Sequence, residues 1–247
     1  MKPMINQVLS ALAIVVCAVA IGSAQTTIPL PSANDVVAKM MESDVQRQSQ
    51  MTGYTAIRQY SAANKKRHAE MLVQVTCGSD GGKKFAVLSE DGSGSIRRHV
   101  FHKLLSEETE ASRRGTRNGT RITPANYDFK VVGRQTLETG PAYVLEVSPK
   151  TNNKYLIRGN IWVDTNDYSI VRIEGQPARS PSFWVRSVHF VHTYQKVGPF
   201  WFASSTHTTS EIRIFGESEL TIQNSGYTLI PQTDGTAKIE NQAGSLP

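Results

Sequence analysis

The chain is most constrained by a run of closely spaced strand patterns between residues 155 and 222. The polar turn Asp164-Thr-Asn-Asp167 suits a hairpin inside this run, and Gly216 indicates a bulge or bend in its last strand. The predicted strands cover residues 155–164, 168–175, 183–195, 200–208 and 211–222. We expect them to be consecutive and antiparallel, burying one face, so they need a partner layer or must curve around something.

The preceding part of the chain adds helices and further strands. Ser32 or Asn34 can cap a helix that runs to about Gln48. Over residues 95–114 the apolar residues again recur at helical spacing, which predicts a second helix. The apolar side of the first helix consists of Val36, Val37, Met40, Met41 and Val45. The other predicted strands cover residues 54–62, 70–77, 83–89, 127–136 and 142–148, with residues 227–230 as a candidate edge strand.

These patterns predict a mainly β (α+β) fold with roughly ten or eleven strands. We expect a single curved antiparallel sheet that forms an unclosed β-barrel. An N-terminal helix and a helix inserted after the third strand would cover its concave side. The sequence shows no internal repeat and no second domain.

The first residues have the pattern of an export signal. Lys2 precedes an apolar stretch over residues 8–21, and Gly22-Ser-Ala24 fits a cleavage site. We therefore predict a signal peptide over residues 1–24, a half-barrel domain over 25–231 and a polar tail over 232–247. Only Cys77 follows the cleavage site, so the mature chain can form no internal disulfide. Secreted eukaryotic domains are usually rich in disulfides, so this composition indicates a Gram-negative-type bacterial envelope, and we expect a periplasmic protein.

The chain is basic, with a formal net charge of +6. In an exported protein this balance favours anionic membrane surfaces or lipid headgroups over nucleic acid. The basic runs could be scattered solvated side chains. The sharper hypothesis is a rim of headgroup-binding residues around a lipid-binding mouth, formed by Arg97, Arg98, Arg113 and Arg114.

No pattern in the sequence indicates a catalytic centre or a metal site. Gly92-Ser-Gly-Ser95 lacks the pattern of a serine hydrolase and suits a flexible link. His189 and His192 are three residues apart on a strand and point to opposite faces, whereas His99 and His102 could share a helix face but lack a third ligand. We predict no catalytic residue, metal or cofactor.

Two groups of carboxylates invite an acid–base interpretation. Asp164 and Asp167 are explained by the turn that they form. We expect the second group to lie on the solvated face of the inserted helix; it consists of Glu107, Glu108 and Glu110.

Several segments carry a common pattern. They are the signal peptide, the N-terminal helix, Gly159-Asn-Ile-Trp-Val-Asp164, Tyr168-Ser-Ile-Val-Arg-Ile173, the long strand that follows and Gly198-Pro-Phe-Trp201. Together they resemble the LolA-like family of bacterial lipoprotein carriers, whose superfamily includes mycobacterial lipid carriers and RseB-type periplasmic sensors. The resemblance implies an unclosed antiparallel barrel with helices over a hydrophobic cavity, and no catalytic motif.

Strand alternation supplies a hypothesis for that cavity, because both faces of residues 183–195 are partly apolar. A core filled completely by the helices would explain this nearly as well. If a cavity exists, the candidate lining residues are Val100, Leu104, Ile161, Val163, Val171, Ile173, Val188, Phe190, Ile212 and Ile214.

We therefore predict a monomeric periplasmic carrier that binds acyl chains of lipids or lipoproteins and passes them toward the outer membrane. Residues 95–114 would act as a lid, and membrane-anchored donor and acceptor proteins are the expected partners. The alternative is an RseB-like sensor module that binds a membrane-anchored partner without transport. An enzyme is a third and weaker interpretation.

Overall fold

The structure is a computed structural model and describes residues 29–113, 119–180, 183, 185–213 and 216–231. The predicted signal peptide, the C-terminal tail, Arg114 and Ile214 lie outside the described residues. The helical elements are α1 (Ala33–Gln50), α2 (Gly94–Ile96), a π-helical turn (Arg97–Phe101) and α3 (His102–Ser112). The last three follow one another directly and are called the inserted helix below.

Ten strands make up the rest of the described fold. They are β1 (Gly53–Asn64), β2 (His68–Gly78), β3 (Lys83–Gly92), β4 (Tyr127–Leu137), β5 (Gly140–Pro149), β6 (Ile157–Asp164), β7 (Ile170–Pro177), β8 (Val185–Val197), β9 (Phe200–Ile212) and β10 (Gly216–Leu229). All pairs are antiparallel, in the order β3-β2-β1-β10-β9-β8-β7-β6-β5-β4. The mainly β fold predicted from the sequence is confirmed.

The two edges of this sheet are consecutive in the chain. Over the described residues the sheet ends at β3 and β4 and does not close into a barrel. The inserted helix lies between these two strands in sequence. The chain therefore passes from one free edge to the other through the inserted helix, while β1 and β10 pair in the middle of the sheet.

Strand register defines one continuous face of the sheet. Paired residues of neighbouring strands share a face, so one row of side chains can be followed across all ten strands. This row consists of Glu90, Met71, Tyr60, Ile222, Thr206, His192, Ile173, Ile161, Leu145 and Val131. The row is polar at its centre, at Thr206 and His192, and apolar on both sides of that centre except for Glu90 on β3.

Helix α1 covers the β4–β8 side of this face. Ser32 caps the helix, because its Oγ accepts a hydrogen bond from the backbone N–H of Asp35 at 3.1 Å. Its buried side chains Val36, Val37 and Met40 pack into a core cluster with residues of β5, β6, β7 and β8. Val45, which the sequence placed on the apolar side, is 62% exposed, so the helix buries a narrower stripe than expected.

The inserted helix covers the other side of the same face. Its fully buried Phe101 and buried Leu105 pack against Tyr60, Met71 and Val73 of β1 and β2. Burial of a side chain of this size contributes about 1.5–3 kcal/mol. The sequence prediction of a helix after the third strand is confirmed, with its end at Ser112.

The last two strands differ from the prediction. Strand β9 continues through residues 208–211, where each residue pairs with both β8 and β10. Gly216 is the first residue of β10 and has φ +71°, a left-handed conformation that suits the start of a strand after a turn. Residues 227–229 do not form an edge strand, because they end β10 and Leu229 pairs with Tyr54.

Candidate binding cleft

A cleft of about 690 Å³ opens on the helix-covered face. It lies between the C-terminal half of α1, the β2–β3 turn, the segment 120–122 and strands β7 to β9. This size is within the range of clefts that hold small ligands. The residues that line it are Met40, Met41, Asp44, Arg47, Gln48, Met51, Cys77, Gly78, Ser79, Gly81, Lys83, Thr120, Arg121, Ile122, Ser169, Ile170, Ile173, Tyr194, Phe200 and Trp201.

Much of this lining is apolar. Ile173, Tyr194 and Phe200 come from the sheet. Met40 and Met41 come from α1, and Met51 is the residue that caps its C-terminus. Methionine side chains are unbranched and flexible, so they adapt to ligands of irregular shape. The cleft can therefore accept an elongated apolar group.

The β2–β3 turn forms one wall and is fixed by its own hydrogen bonds. The backbone N–H of Gly78 donates to the carbonyl of Gly82 at 2.9 Å. The N–H of Gly82 donates to Oδ1 of Asp80 at 2.9 Å. The N–H of Lys83 donates to Oγ of Ser112 at 3.1 Å, which attaches the start of β3 to the end of α3.

The opposite wall, α1, is attached to the β6–β7 turn. Arg47 donates from Nη1 to the carbonyl oxygen of Asp167 at 3.0 Å, and Lys39 donates to the hydroxyl of Tyr168 at 3.2 Å. Burial disfavours the charged form of Asp167. Hydrogen bonds from Trp201 at 2.8 Å and Lys196 at 2.9 Å outweigh it and lower the Asp167 pKa to about 2. Asp167 therefore forms part of the predicted turn and also contacts β8, β9 and α1.

Under the inserted helix lies a partly buried ionic network. Glu108 accepts from Nη1 of Arg58 at 2.6 Å and from Nζ of Lys83 at 2.7 Å. Arg58 also donates from Nε to Oδ1 of Asn224 at 2.7 Å and from Nη1 to the hydroxyl of Tyr60 at 3.1 Å. Burial alone would raise the pKa of Glu108, but Lys83 and Arg58 outweigh it and lower that pKa to about 2.

This location corrects the sequence prediction that Glu108 lies on a solvated helix face. Phe101, Leu105 and Glu108 are at positions i, i+4 and i+7, so all three face the sheet. Glu107 and Glu110 are more exposed and pair with Lys154 at 3.6 Å and Arg113 at 2.7 Å.

His192 and Thr206 form the polar centre of the face. Nδ1 of His192 lies 2.6 Å from Oγ1 of Thr206 on the neighbouring strand β9. Burial lowers the pKa of His192 to about 4, although the negative charge of Glu108 opposes this shift. The imidazole is therefore neutral near pH 7.

The predicted lining residues fall into several groups. Ile161, Val163, Ile173 and Phe190 belong to the core cluster under α1, and of these Ile173 lines the cleft. Val100 and Leu104 pack at the edge of the cluster under the inserted helix.

The other predicted lining residues lie elsewhere. Val171 packs with Ala142 and Trp162 in a third cluster, separate from that of Ile173, next to a register shift between β6 and β7. Val188 and Ile212 are partly buried on β8 and β9, and they pair with Ser210 and Val185. Ile214 lies outside the described part of the chain.

The predicted rim residues are separated along the inserted helix. Arg97, paired with Glu90 at 3.5 Å, and the exposed Arg98 lie near its start, beside the β1–β2 end of the sheet, where the N–H of Ser93 donates to the carbonyl of His68. Arg113 follows Ser112 at the other end, close to the β2–β3 turn and the cleft. Arg114 lies outside the described residues.

Sequence reasoning did not identify the cations of the cleft, which are Arg47, Lys83 and Arg121. The sequence does contain a pattern that marks part of the site. Met40, Asp44, Arg47 and Met51 recur at helical spacing along α1 and its C-cap, so they lie on one side. No group of three or more His, Cys, Asp or Glu among residues with described coordinates could hold a metal ion. In the same residues, none of the helices has both the length and the apolar composition needed to cross a membrane.

Comparisons with known proteins give matches in structure alone. No protein-family model and no curated protein sequence matches the chain. The chain is similar in structure to LolA-like proteins. One is a LolA superfamily protein from Nitrosomonas europaea, with 9% identity, a TM-score of 0.45 and coverage of 83% of this chain and 96% of that one.

Two further solved structures are similar. A candidate outer membrane lipoprotein-sorting domain from Vibrio parahaemolyticus is 13% identical, with a TM-score of 0.45 and coverage of 80% and 94%. A DUF1329 family protein from Desulfovibrio piger is 14% identical, with a TM-score of 0.44 and coverage of 81% and 94%. LolA-superfamily structures are thus among those that the chain resembles, as the sequence predicted.

Proposed function

We propose that the protein binds the acyl chains of lipids or lipoproteins in the cleft beneath α1 and carries them through the periplasm toward the outer membrane. The observation that supports this most directly is the cleft itself, about 690 Å³ in volume and lined by methionine, isoleucine and aromatic side chains. Each methylene that leaves water for such a lining contributes about 0.8 kcal/mol.

Binding of this kind needs no covalent chemistry. We propose a carrier without catalytic activity, cofactor or metal, which acts as a monomer and exchanges its cargo with membrane-anchored donor and acceptor proteins. Loading and release require the cleft to widen. Helix α1 is packed into the core through Val36, Val37 and Met40. The β2–β3 turn, attached to α3 by the hydrogen bond between Lys83 and Ser112, is therefore the wall that we expect to move.

The test is to purify the protein from a bacterial periplasm and measure its mass under native conditions. We expect a lipid adduct that is released on denaturation. Met41→Trp would fill part of the cleft, whereas Val45→Trp places the same side chain on an exposed position of α1. The adduct should fall by at least half in the first variant and persist in the second.

The sensor alternative makes a different prediction for the same experiment. An interaction module would remain without lipid in all three forms and would ignore added lipids. That outcome would contradict the carrier proposal. Equal lipid adducts in both variants would place any lipid outside the cleft and would also contradict it.

A further inference from the structure

The charged side chains of the cleft are predominantly cationic. Arg47, Lys83 and Arg121 line it, and Asp44 is the one carboxylate among the lining residues of the described structure. Asp44 is already engaged, because it accepts from Arg121 and from Nε2 of Gln48 at 2.8 Å. The lining therefore retains an excess of positive charge.

The network below the cleft leaves this excess in place, because Arg58 and Glu108 contribute one charge of each sign. Glu108 is shared between Arg58 and Lys83, so one carboxylate compensates two cations. Arg58 is the more deeply buried of the two, with 8% side-chain exposure against 27% for Lys83. Arg58 also has Asn224 and Tyr60 as partners. Of the two cations that share Glu108, Lys83 is thus the one that can reach a ligand in the cleft.

Lys83 is suited to bind an anion next to an apolar surface. Its ammonium group has three donors, and Glu108 receives one of them. Burial raises the pKa of Tyr194, a neighbour on the cleft wall, and the positive charge of Lys83 opposes that shift, so the two groups are within electrostatic reach. The nearby Asp80 carboxylate accepts from the backbone of its own turn.

We propose, on the basis of the acyl-binding function above, that the cleft prefers amphiphiles with a single anionic headgroup, a carboxylate or a phosphate. The headgroup contacts Lys83, and the acyl chain lies against Ile173 and the methionines of α1. Because a hydrogen bond to a charged group is stronger than one between neutral groups, the charge should strengthen binding by about tenfold or more.

The experiment compares ligands that share one chain and differ in the head. Dodecanoate, monododecyl phosphate and dodecan-1-ol are titrated by calorimetry at pH 8 below their micelle concentrations, with inorganic phosphate as the chainless probe. We expect the two anionic amphiphiles to bind at least about tenfold more tightly than the alcohol. Added salt should weaken the binding of the anionic amphiphiles and leave the affinity for the alcohol unchanged.

The variants test the assigned residue. Lys83→Met keeps most of the side-chain length and leaves Glu108 paired with Arg58, so the fold should persist. It should remove the preference for the anions over dodecan-1-ol. Lys84→Met is the matched control, because Lys84 is the next residue of β3 and is exposed outside the cleft. It should keep the preference.

Three results would overturn the proposal. Equal affinity for the alcohol and the anions would leave acyl binding intact and remove the headgroup preference. If none of the amphiphiles binds, the acyl-binding function fails and this inference fails with it. If inorganic phosphate binds as tightly as monododecyl phosphate, the cleft holds a small-anion site in which the chain has no part.

Discussion

Arg58 and Glu108 connect the sheet to the inserted helix through a contact of 2.6 Å between Nη1 and Oε2. The two residues are fifty positions apart in the chain. Their side chains are 8% and 30% exposed, so water screens the pair only in part. The contact therefore links the position of the helix to the position of β1.

Replacing Glu108 by Gln should destabilise the protein by about 2–3 kcal/mol, because it leaves Arg58 buried without an anionic partner. Urea unfolding followed by circular dichroism measures the change. Glu107→Gln, on the same helix and paired with Lys154 at 3.6 Å on the surface, should cost less than about 1 kcal/mol. Equal effects of the two substitutions would show that the buried network contributes no more than a surface pair.

The same network should give the protein an acid-sensitive range. The Glu108 pKa is about 2 in the folded chain against 4.5 ordinarily, so its stabilisation is complete above pH 4.5 and is lost as the pH falls toward 2. Unfolding free energies between pH 6 and 2 should therefore decline less steeply in Glu108→Gln than in the natural chain. A parallel decline in both would contradict the shifted pKa.

His192 should make stability depend on pH in a higher range. Its pKa is about 4 in the folded chain and 6.5 ordinarily. The unfolded chain therefore binds the proton first, and stability falls by about 2–3 kcal/mol as the pH drops from 6.5 to 4. His192→Asn should flatten this part of the curve, and His207→Asn, at an exposed position of β9, should keep it. An NMR titration of His192 with a midpoint near 6.5 would contradict the expectation.

Phe101 should be the main apolar anchor of the inserted helix, since its side chain is fully buried against β1 and β2. Phe101→Ala should cost about 3–5 kcal/mol and increase amide hydrogen exchange across residues 94–112. Lys103→Ala, on the exposed side of α3, is the control and should leave both unchanged. Unaltered exchange in the Phe101 variant would mean that the ionic network alone holds the helix.

Gly159 should tolerate no side chain. A Cβ at this position would lie 2.1 Å from the carbonyl oxygen of Glu174 on the neighbouring strand β7. Gly159→Ala should therefore shift or break this part of the ladder and lower the thermal midpoint by several degrees. Gly133→Ala on β4 has open space around the new methyl group and should be nearly neutral. Similar midpoints for the two variants would rule out the close backbone contact.

Local patterns were sufficient to predict most individual elements. Alternation and turn residues located strands such as β6 and β7, and the candidate caps Ser32 and Asn34 located the start of α1 to within two residues. The pairing of β1 with β10 could not be predicted, because no turn connects them and the partners Tyr54 and Leu229 are far apart in the chain.

The cleft was harder to predict than the fold. Its walls come from α1, the β2–β3 turn and strands β7 to β9, so Met41, Lys83 and Ile173 meet only in three dimensions. The sheet-facing, partly buried position of Glu108, by contrast, follows from its spacing to Phe101 and Leu105. A charged side chain can face the sheet at this position because Arg58 compensates its charge.

The pairing of β1 with β10 also has a consequence for biosynthesis. Hydrogen bonds between these two strands are the ladder that joins the first three strands to the remaining seven. While a ribosome is still producing the chain, the early hairpins must wait for residues 216–229 before they gain their neighbour. The first three strands therefore complete their pairing only after the other seven have been made, a long-range dependence of the kind that slows folding.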